Sequence, residues 1–531
     1  MSIKVNDNNW IKITIDDPSY EPMKDLLTIV ERELIIHKQY DRELRRFKKV
    51  NKVELVNKYL YSIDNKTKEL LVPFGLLRYV KYLFKNSNVT NCTKKDHLLY
   101  NVEHVVDNIH KYINILPGIE LYQNQLECVK RVFEYKRGVI QAGTGFGKSE
   151  VMCACIQIMK EINNNVYPTI LVLEPTIELL KGIKSRFKDY KIPINDYRES
   201  RVIMTNKINL AHPASLVNDL KTNKKLLNKV EVQFMDECHH VKSITWSMPT
   251  YHMDNLIYSI GLSATFLSHY HADGTHIDDF NFDELVRIGN LGPLLIKVDG
   301  KELIEKKQLA TPKLIILNNA ANEEIDETKI DYDWHNVRKI RLQSEKRTKL
   351  IAESACIFAK YNRKVLILMN VLDWGRNILR EIYNLGYGDI CRTCFGGQTY
   401  EKINKKGKIE KDYNSALNSF NKDKVKIIIG SSCLVEGIDL KKVDVCILAQ
   451  GGKSDRVTLQ SVGRALRRSK NGKYAYIVDF NDYEDGMLSR QFVERNIKYK
   501  KVLGITSTED VLNKATISDL ENKFKEWENI D

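Results

Sequence analysis

One segment of eight residues constrains the fold of this chain more than any other. Residues 142–149 read Ala-Gly-Thr-Gly-Phe-Gly-Lys-Ser, between an apolar stretch at 138–141 and a helix-compatible stretch at 150–155. Strand, glycine-rich turn and helix form the context that a phosphate-binding loop requires. Glycines let backbone N–H groups crowd around phosphate oxygens, and the helix N-terminus adds partial positive charge. The segment therefore predicts a sheet that binds a nucleoside triphosphate at the end of one strand.

The residue types in this loop indicate ATP and Mg²⁺ as the ligands. Lys148 is expected to reach the terminal phosphates, and the Ser149 hydroxyl is expected to ligate Mg²⁺. The backbone amides that cradle the phosphates are predicted to come from Gly143, Thr144, Gly145 and Gly147.

An acidic motif about 90 residues further on supplies the hydrolytic chemistry. Asp236-Glu237-Cys238-His239 directly follows the apolar run 232–235. A carboxylate at a strand end can hold Mg²⁺ through its water shell, which is the role that we predict for Asp236. Glu237 is predicted to polarise the attacking water. The pair would be weak evidence alone and becomes specific beside the phosphate loop.

Apolar runs alternate with helical stretches over two long parts of the chain. This alternation favours an α/β fold of parallel sheets covered by helices. The runs lie at 170–173, 232–235 and 260–262, and then at 365–368, 425–429, 445–448 and 474–478. We therefore predict two tandem domains, at 116–312 and 313–480, with a polar interdomain connection at roughly 312–345.

The two ends of the chain lack this alternation. Residues 1–115 predict a small, separate α+β accessory domain, with a hairpin whose strands lie at 59–63 and 69–72. Residues 481–531 predict a helical tail, whose last helix opens at a capping box, Ser518-Asp519-Leu520-Glu521.

The charge of the chain favours a polyanionic partner. Lys and Arg number 83 against 69 Asp and Glu, a formal net charge of +14. This excess suits nucleic acid, although a Lys-rich proteome would also raise it. A basic stretch at 42–58 is the candidate DNA contact, with a solvated face as the alternative. Its clustered cations include Arg45, Arg46, Lys48 and Lys49.

No apolar run is long enough to span a membrane, and the N-terminal residues lack the apolar core of a signal peptide. The ten cysteines have no framework spacing. Cys391-Arg392-Thr393-Cys394 lacks the second ligand pair that a structural zinc site needs. The expectation is a reduced cytoplasmic protein with free thiols and no membrane contact.

The phosphate loop and the Asp-Glu-x-His motif together resemble the superfamily 2 helicases and translocases, in which an alanine at the position of Ala142 is usual. Further motifs follow in the order of that family. Gln125 resembles the adenine-recognising glutamine, although Asn124 replaces the tyrosine often found before it. Thr176 resembles the residue that grips a nucleic-acid phosphate. Ser263 and Thr265, with His239, resemble the residues that couple hydrolysis to strand movement.

The second domain carries the remaining motifs of the family. Ser432 resembles a nucleic-acid contact, while Gly437 and Asp439 resemble residues that touch the nucleotide. Gln460, Arg464 and Arg467 resemble the arginine-finger motif. Each motif alone has an ordinary structural explanation, but their order over some 340 residues makes chance agreement implausible. The resemblance implies two RecA-like domains, with the arginines stabilising charge on the transferring phosphoryl group.

Longer stretches are similar to the UvsW-type phage recombination helicases and to XPB-like helicases. They lie at 448–464, at 292–312 and, more weakly, at 73–80. This similarity implies an ATP-dependent DNA helicase that unwinds or branch-migrates forked and four-way DNA in recombination, repair and replication. It also implies a monomer, located in the host cytoplasm or nucleoid if the chain is viral.

Three alternatives remain open. An RNA helicase can carry the same Asp-Glu-x-His motif. The motor of a restriction system shares the motor domains, but it usually adds a nuclease, for which the 51 residues after 480 are too few. A nucleic-acid-binding scaffold with an inactive ATPase is disfavoured because Lys148, Asp236, Glu237, Arg464 and Arg467 are all present.

Overall fold

The computed structural model divides into two compact units. The first comprises Met1–Gln141, Ser149–Pro175 and Arg186–Lys297, and the second comprises Ala142–Lys148, Thr176–Ser185 and Val298–Asp531. The structure describes residues 2–5, 10–13, 20–41, 46–83, 88–91, 98–143, 145–265, 282–319, 342–395, 399–412, 415–431, 443–451, 474–483, 486–503, 505 and 508–530.

The first 310 residues contain fourteen described strands and eleven described α-helices. The strands are β1 Ser2–Val5, β2 Trp10–Ile13, β3 Thr28–Asp41, β4 Arg46–Tyr59, β5 Ser62–Ile63, β6 Leu70–Pro73, β7 Asn88–Asn91, β8 Arg137–Ala142, β9 Ile170–Leu173, β10 Ile194–Asp196, β11 Ile208–Ala211, β12 Val232–Asp236, β13 Tyr258–Ser263 and β14 Leu294–Val298. The helices are α1 Tyr20–Leu26, α2 Leu77–Leu83, α3 Glu103–Asp107, α4 Gln123–Tyr135, α5 Lys148–Ile162, α6 Ile177–Asp189, α7 Tyr197–Ser200, α8 Pro213–Leu220, α9 Ile244–Tyr251, α10 Phe282–Leu291 and α11 Gly300–Glu305. Short 3₁₀ helices lie at Phe74–Leu76, Leu98–Tyr100, Ile109–Tyr112 and Cys238–Lys242.

A seven-stranded sheet forms the centre of this part, in the order β10-β11-β9-β12-β13-β8-β14. The pairs from β10 through to β8 are parallel. Every residue of β9, β11 and β13 is buried, as near-continuous apolar runs predict for a sheet covered on both faces. The predicted parallel α/β domain is confirmed, and the phosphate loop and the acidic motif follow strands of this same sheet.

The N-terminal residues form a five-stranded sheet in the order β5-β6-β2-β1-β7, beside a separate two-stranded ribbon of β3 and β4. The hairpin of β5 and β6 is confirmed, while the 14-residue length of both ribbon strands was not foreseen. One apolar core joins Ile11 and Leu70 of this sheet to Leu171 and Met235 of the parallel sheet, and the assignment of residues 1–115 as a separate accessory domain stays a prediction.

The rest of the chain supplies nine described strands and five described α-helices. The strands are β15 Thr311–Asn318, β16 Val365–Leu368, β17 Cys391–Phe395, β18 Thr399–Ile403, β19 Ile409–Lys411, β20 Ile427–Gly430, β21 Val445–Leu448, β22 Tyr474–Asn481 and β23 Val511–Ala515. The helices are α12 Glu345–Lys360, α13 Leu372–Asn384, α14 Ala416–Asn421, α15 Gly486–Leu503 and α16 Ile517–Glu528, with 3₁₀ helices at Gly388–Ile390 and Thr508–Asp510.

These strands form one sheet in the order β19-β18-β17-β20-β16-β21-β22-β15-β23. It is parallel except where β18 pairs with β17 and β19. The second predicted α/β domain is therefore confirmed. Two details are corrected. Strand β15 lies inside the sheet, so the connection predicted from residue 312 does not begin there. The tail is also not purely helical, because β23 extends the sheet by pairing with β15.

The final helix, α16, packs on the second sheet through Leu520, Phe524 and Trp527. Its cap differs from the prediction, since Thr516 rather than Ser518 opens it. The Thr516 hydroxyl accepts a hydrogen bond from the Asp519 amide, and the Asp519 carboxylate accepts one from the Thr516 amide. The predicted packing of the tail on this domain is confirmed.

Within the described ranges, no helix is long and apolar enough to cross a membrane. Eight cysteines of the described part are buried and form no disulfide, including Cys391 and Cys394 on β17. Among these same residues no group of three or more His, Cys, Asp or Glu could hold a metal ion.

Gly75 should be essential for the junction between the N-terminal sheet and α10. A Cβ atom at this position would lie 1.9 Å from the Ile288 carbonyl oxygen and 2.7 Å from that of Gly289. Because backbone cannot move aside cheaply, Gly75→Ala should destabilise the protein by roughly 1–3 kcal/mol, measured by urea unfolding. The control is Gly182→Ala on α6, where a Cβ meets nothing within 4 Å and helix propensity predicts a small gain. Equal stability of the two variants would contradict the packing argument.

Candidate active site

The phosphate loop connects β8 to α5 with the backbone geometry that its glycines allow. Gly145 has a φ of 91° and Gly147 a φ of 90°, values that residues with a Cβ rarely adopt. Lys148 is the first residue of α5, and its Nζ donates to the carbonyl of Ala142 at 3.0 Å. This hydrogen bond connects the start of α5 to the end of β8 across the loop. Ser149 follows on the first turn of α5.

The acidic motif lies at the end of β12, where the chain turns sharply. Asp236 is the last residue of the strand, and its Oδ1 accepts a hydrogen bond from the Glu237 amide at 2.9 Å. Glu237 has a φ of 46° and a ψ of 44°, a left-handed conformation that is costly for a glutamate. The turn directs the chain into the 3₁₀ helix Cys238–Lys242. Such strain at a predicted catalytic residue is typical of functional sites.

His239 connects the acidic motif to the end of β13. Its Nδ1 lies 2.9 Å from the Ser263 Oγ and 3.3 Å from the Glu237 Oε2. The Ser263 hydroxyl donates its single proton to the Thr265 carbonyl at 2.7 Å, so His239 Nδ1 must be the donor to Ser263. The residues predicted to couple hydrolysis to movement therefore form one hydrogen-bonded chain, most of it buried.

Glu174 is a candidate site residue that the sequence reasoning missed. It follows β9, the neighbour of β12, and the pairing of Leu173 with Met235 sets it beside Asp236. Its side chain is buried, and its Oε2 has no hydrogen-bond partner among the described residues. Burial raises the pKa of Glu174 well above its usual value, and the nearby charges of Asp236 and Glu237 raise it further. An acidic residue directly after an apolar run was the available signal.

Two other predicted residues have structural roles near helix ends. Gln125 lies in the first turn of α4, and its Oε1 accepts a hydrogen bond from the Tyr122 amide at 2.9 Å. Thr176 precedes α6, and its Oγ1 accepts from the Leu179 amide at 3.2 Å. These contacts place both residues at helix N-termini; adenine and phosphate recognition remain predictions.

The donor set at this edge of the sheet fits Mg²⁺ and a triphosphate. Ser149 and Asp236 offer hard oxygen ligands, and Mg²⁺ usually completes such a set with water and phosphate oxygens. Lys148 and the α5 N-terminus offer positive charge for the phosphates. Strands β12, β13 and β8 are consecutive and parallel, so their carboxyl ends meet at one edge.

Several predicted site residues lie outside the described residues. They are Thr144, Ser432, Gly437, Asp439, Gln460, Arg464, Arg467 and Arg45. The other three members of the basic cluster, Arg46, Lys48 and Lys49, are residues of strand β4 in the two-stranded ribbon.

Comparison with known protein families assigns both parts of the motor. Residues 118–268 match the family described as "Type III restriction enzyme, res subunit". Residues 391–469 match the family described as "Helicase conserved C-terminal domain". The two matched ranges contain the phosphate loop, the acidic motif and the predicted arginine segment.

Curated relatives agree with this assignment, and a solved structure agrees with the fold. The chain is 26% identical over 407 residues to the DNA 3'-5' translocase XPB2 of Sulfurisphaera tokodaii, covering 71% of this chain and 84% of that protein. It is 22% identical over 380 residues to the ATP-dependent DNA helicase uvsW of Enterobacteria phage T4, covering 68% and 69%. A solved structure of S. cerevisiae Dbp5 bound to RNA and ADP BeF3 matches with a TM-score of 0.52 at 13% identity, covering 79% of this chain and 96% of that one. That last likeness shows the fold alone.

The fold and the site define a two-domain α/β motor with an Asp-Glu-x-His hydrolytic motif. The two matched regions and the curated relatives are those of helicases, so the chain is similar to the UvsW and XPB helicases of superfamily 2, and these comparisons support a nucleic-acid-dependent ATPase.

Glu174→Gln should change the pH dependence of stability. Because the folded pKa of Glu174 lies above the unfolded value of 4.5, the folded state resists ionisation and loses stability as pH rises above 4.5. The neutral glutamine avoids this loss. Thermal unfolding in EDTA should therefore give a higher Tm for the variant at about pH 7.5, with the difference shrinking towards pH 4. Glu120→Gln, at an exposed site, is the control. A Tm difference independent of pH would contradict the prediction.

Proposed function

We propose that the protein is an ATP-dependent DNA translocase or helicase that acts on forked and four-way DNA. The position of His239 Nδ1, which bonds to the Ser263 hydroxyl at 2.9 Å and lies 3.3 Å from the Glu237 carboxylate, carries this proposal. His239 thus lies between Glu237, which would activate water, and Ser263 at the end of β13, which belongs to the motif that couples hydrolysis to strand movement in the resembling family. A plain ATPase would need Glu237 but no such connection.

In this function Lys148 binds the terminal phosphates, and Ser149 and Asp236 hold Mg²⁺. A cation held by these two residues would supply positive charge to the phosphoryl group. Glu237 orients the attacking water and accepts its proton, in the position that the Asp236 side chain fixes through the Glu237 amide. Gln125 recognises adenine, with Gly437 and Asp439 as further contacts to the nucleotide.

The second domain completes the reaction in this proposal. Arg464 and Arg467, with Gln460, stabilise the negative charge that develops on the phosphoryl group. Thr176 and Ser432 contact the nucleic-acid backbone. Closure of the domains on ATP and release after hydrolysis then move the strand, with one chain acting as a monomer.

The preference for DNA is supported by two relatives that are named for action on DNA and are matched over about 70% of this chain. An RNA substrate remains the first alternative, because a viral relative of similar identity is named a putative RNA helicase. A restriction motor is the second alternative, supported by the family matched at 118–268. An ATPase assay with different nucleic acids separates these three functions.

The decisive experiment measures ATP hydrolysis with single-stranded, duplex, forked and four-way DNA and with RNA. Forked and four-way DNA should stimulate turnover most, and the same substrates should be unwound or branch-migrated when ATP is present. Greater stimulation by RNA would support the first alternative. Cleavage of duplex DNA during ATP hydrolysis would support the second.

Lys148→Ala should lower ATP turnover by at least about 100-fold, because it removes the cation that stabilises the terminal phosphates. DNA binding without nucleotide should change little, which fluorescence anisotropy would measure. The matched control is Lys160→Ala, which removes a lysine from the last turn of the same helix. Retained turnover in Lys148→Ala would refute the assignment of the phosphate loop.

Neutralising the basic cluster Arg45, Arg46, Lys48 and Lys49 with glutamine should weaken DNA binding and reduce its salt dependence. Each lost phosphate contact should reduce the slope of log affinity against log salt by about 0.9. The control neutralises four lysines around the β18–β19 turn, Lys405, Lys406, Lys408 and Lys411. Equal slopes for the cluster variant and the unmodified protein would identify the cluster as a solvated face.

A further inference from the structure

A buried arginine joins the carboxyl ends of three neighbouring strands in the nine-stranded sheet. Arg347 lies in the first turn of α12, and its side chain is 0% exposed. Its Nε donates to the Asp482 Oδ1, just after β22, at 3.1 Å. Its Nη1 donates to the carbonyl of Ala449, just after β21, at 2.8 Å. Asn319, just after β15, donates to the same Asp482 oxygen at 2.8 Å.

The guanidinium group is held in one orientation by aromatic side chains as well as by these bonds. Its central carbon lies 4.6 Å from the centre of the Phe480 ring and 5.6 Å from the Trp374 ring. Trp374 is fixed in turn, because its indole N–H donates to the Thr348 Oγ1 at 3.0 Å. Burying a guanidinium group is costly unless its charge and its donors are satisfied. The hydrogen bonds and aromatic rings hold the guanidinium group in one orientation, which suits a residue that fixes the positions of its neighbours.

Some polar atoms of this buried cluster have no hydrogen-bond partner among the described residues. Among the described residues, Arg347 Nη2, Asn319 Oδ1 and Gln450 Oε1 are buried without a hydrogen-bond partner. Buried polar atoms rarely lack partners in folded proteins, and an arginine that served only to close a core would be expected to use all of its donors. These three atoms could each form a further hydrogen bond, and they belong to Arg347 and to residues that follow β15 and β21.

We infer that Arg347 is a positioning residue for ATP hydrolysis, which it serves by fixing Ala449 and Gln450. This inference rests on the proposed function, since the chain continues from Gln450 to Gln460, Arg464 and Arg467. Catalytic groups lose much of their effect when they are displaced by about 1 Å. The hydrogen bond to the carbonyl of Ala449 acts as a clamp that fixes the chain where it leaves β21, before Gln460 and the two arginines in sequence. Asp482 and Asn319 hold the clamp, and Arg347 itself does not contact the nucleotide.

The test compares Arg347→Lys with Arg392→Lys. Lysine keeps the charge at 347 but lacks the planar fork, so it cannot bond to Asp482 and Ala449 together in the same geometry. Arg392 is the matched control, because it also joins a carboxylate, that of Asp412 at 2.7 Å, and backbone carbonyls. It lies near the start of β17, away from the carboxyl ends of the strands.

Steady-state ATP hydrolysis is measured for both variants with saturating forked DNA, well below the lowest Tm. Arg347→Lys should lower kcat about 10-fold or more while KM for ATP changes by less than about 2-fold. Arg392→Lys should keep kcat even if its Tm falls as far. If Arg347→Lys does not fold, Asp482→Asn, which weakens the same clamp, should show the same fall in kcat. Unchanged kcat in the folded variant overturns the inference.

A double variant distinguishes a loss of kcat that acts through Arg464 from a loss caused by general disturbance of the structure. In an Arg464→Ala background, Arg347→Lys should lower kcat by no more than about 2-fold further, because both changes remove the same contribution. Fully additive losses would contradict the inference. If the unmodified protein hydrolysed no ATP with any nucleic acid, the proposed function would fail instead, so the two failures are distinguishable.

Discussion

The burial of parallel strands on both faces is the constraint on which the rest of this structure depends. Every residue of β9, β11, β13, β16, β20 and β21 is buried. Polar side chains inside such strands need partners, as Asp479 has in Arg495 and Tyr499. Chemistry is therefore concentrated where the strands end. The phosphate loop, Asp236 and Ser263 follow or end strands of the first sheet, and Ala449 and Asp482 follow strands of the second.

Concentrating charge at a strand end is costly, and the local geometry indicates how each sheet accommodates it. In the first sheet, Glu174, Asp236 and Glu237 are near one another, and the left-handed backbone at Glu237 is maintained by the Asp236 side chain. In the second sheet, the buried charge of Arg347 is paired with Asp482 and placed between aromatic rings. The first arrangement leaves negative charge that suits a cation, and the second produces rigidity.

Continuous apolar runs were sufficient to predict both parallel sheets. The motifs were sufficient to predict that residues 142–149 and Asp236-Glu237 lie at strand ends of one sheet, and their roles stay predictions. The failures arose where pairing is distant in sequence. Strand β23 reads Val-Leu-Asn-Lys-Ala and is recognisable only by its pairing with β15, about 200 residues earlier. The shared core of Ile11 and Met235 is likewise invisible to local patterns. The cap at Thr516 was missed because Ser518 offered an equally plausible local motif.

Glu174 and Arg347 show why the remainder of the site could not be predicted. A glutamate after an apolar run and an arginine in a helix are ordinary in sequence, since such residues are usually solvated. Glu174 and Arg347 become candidates for function because they are buried, and burial depends on which residues pack around them. A buried, unpaired carboxyl oxygen and an incompletely used buried guanidinium group both lower stability locally. Residues that violate the rules of packing in this way tend to mark function, and here both lie at strand ends, where the parallel sheets already concentrate their chemistry.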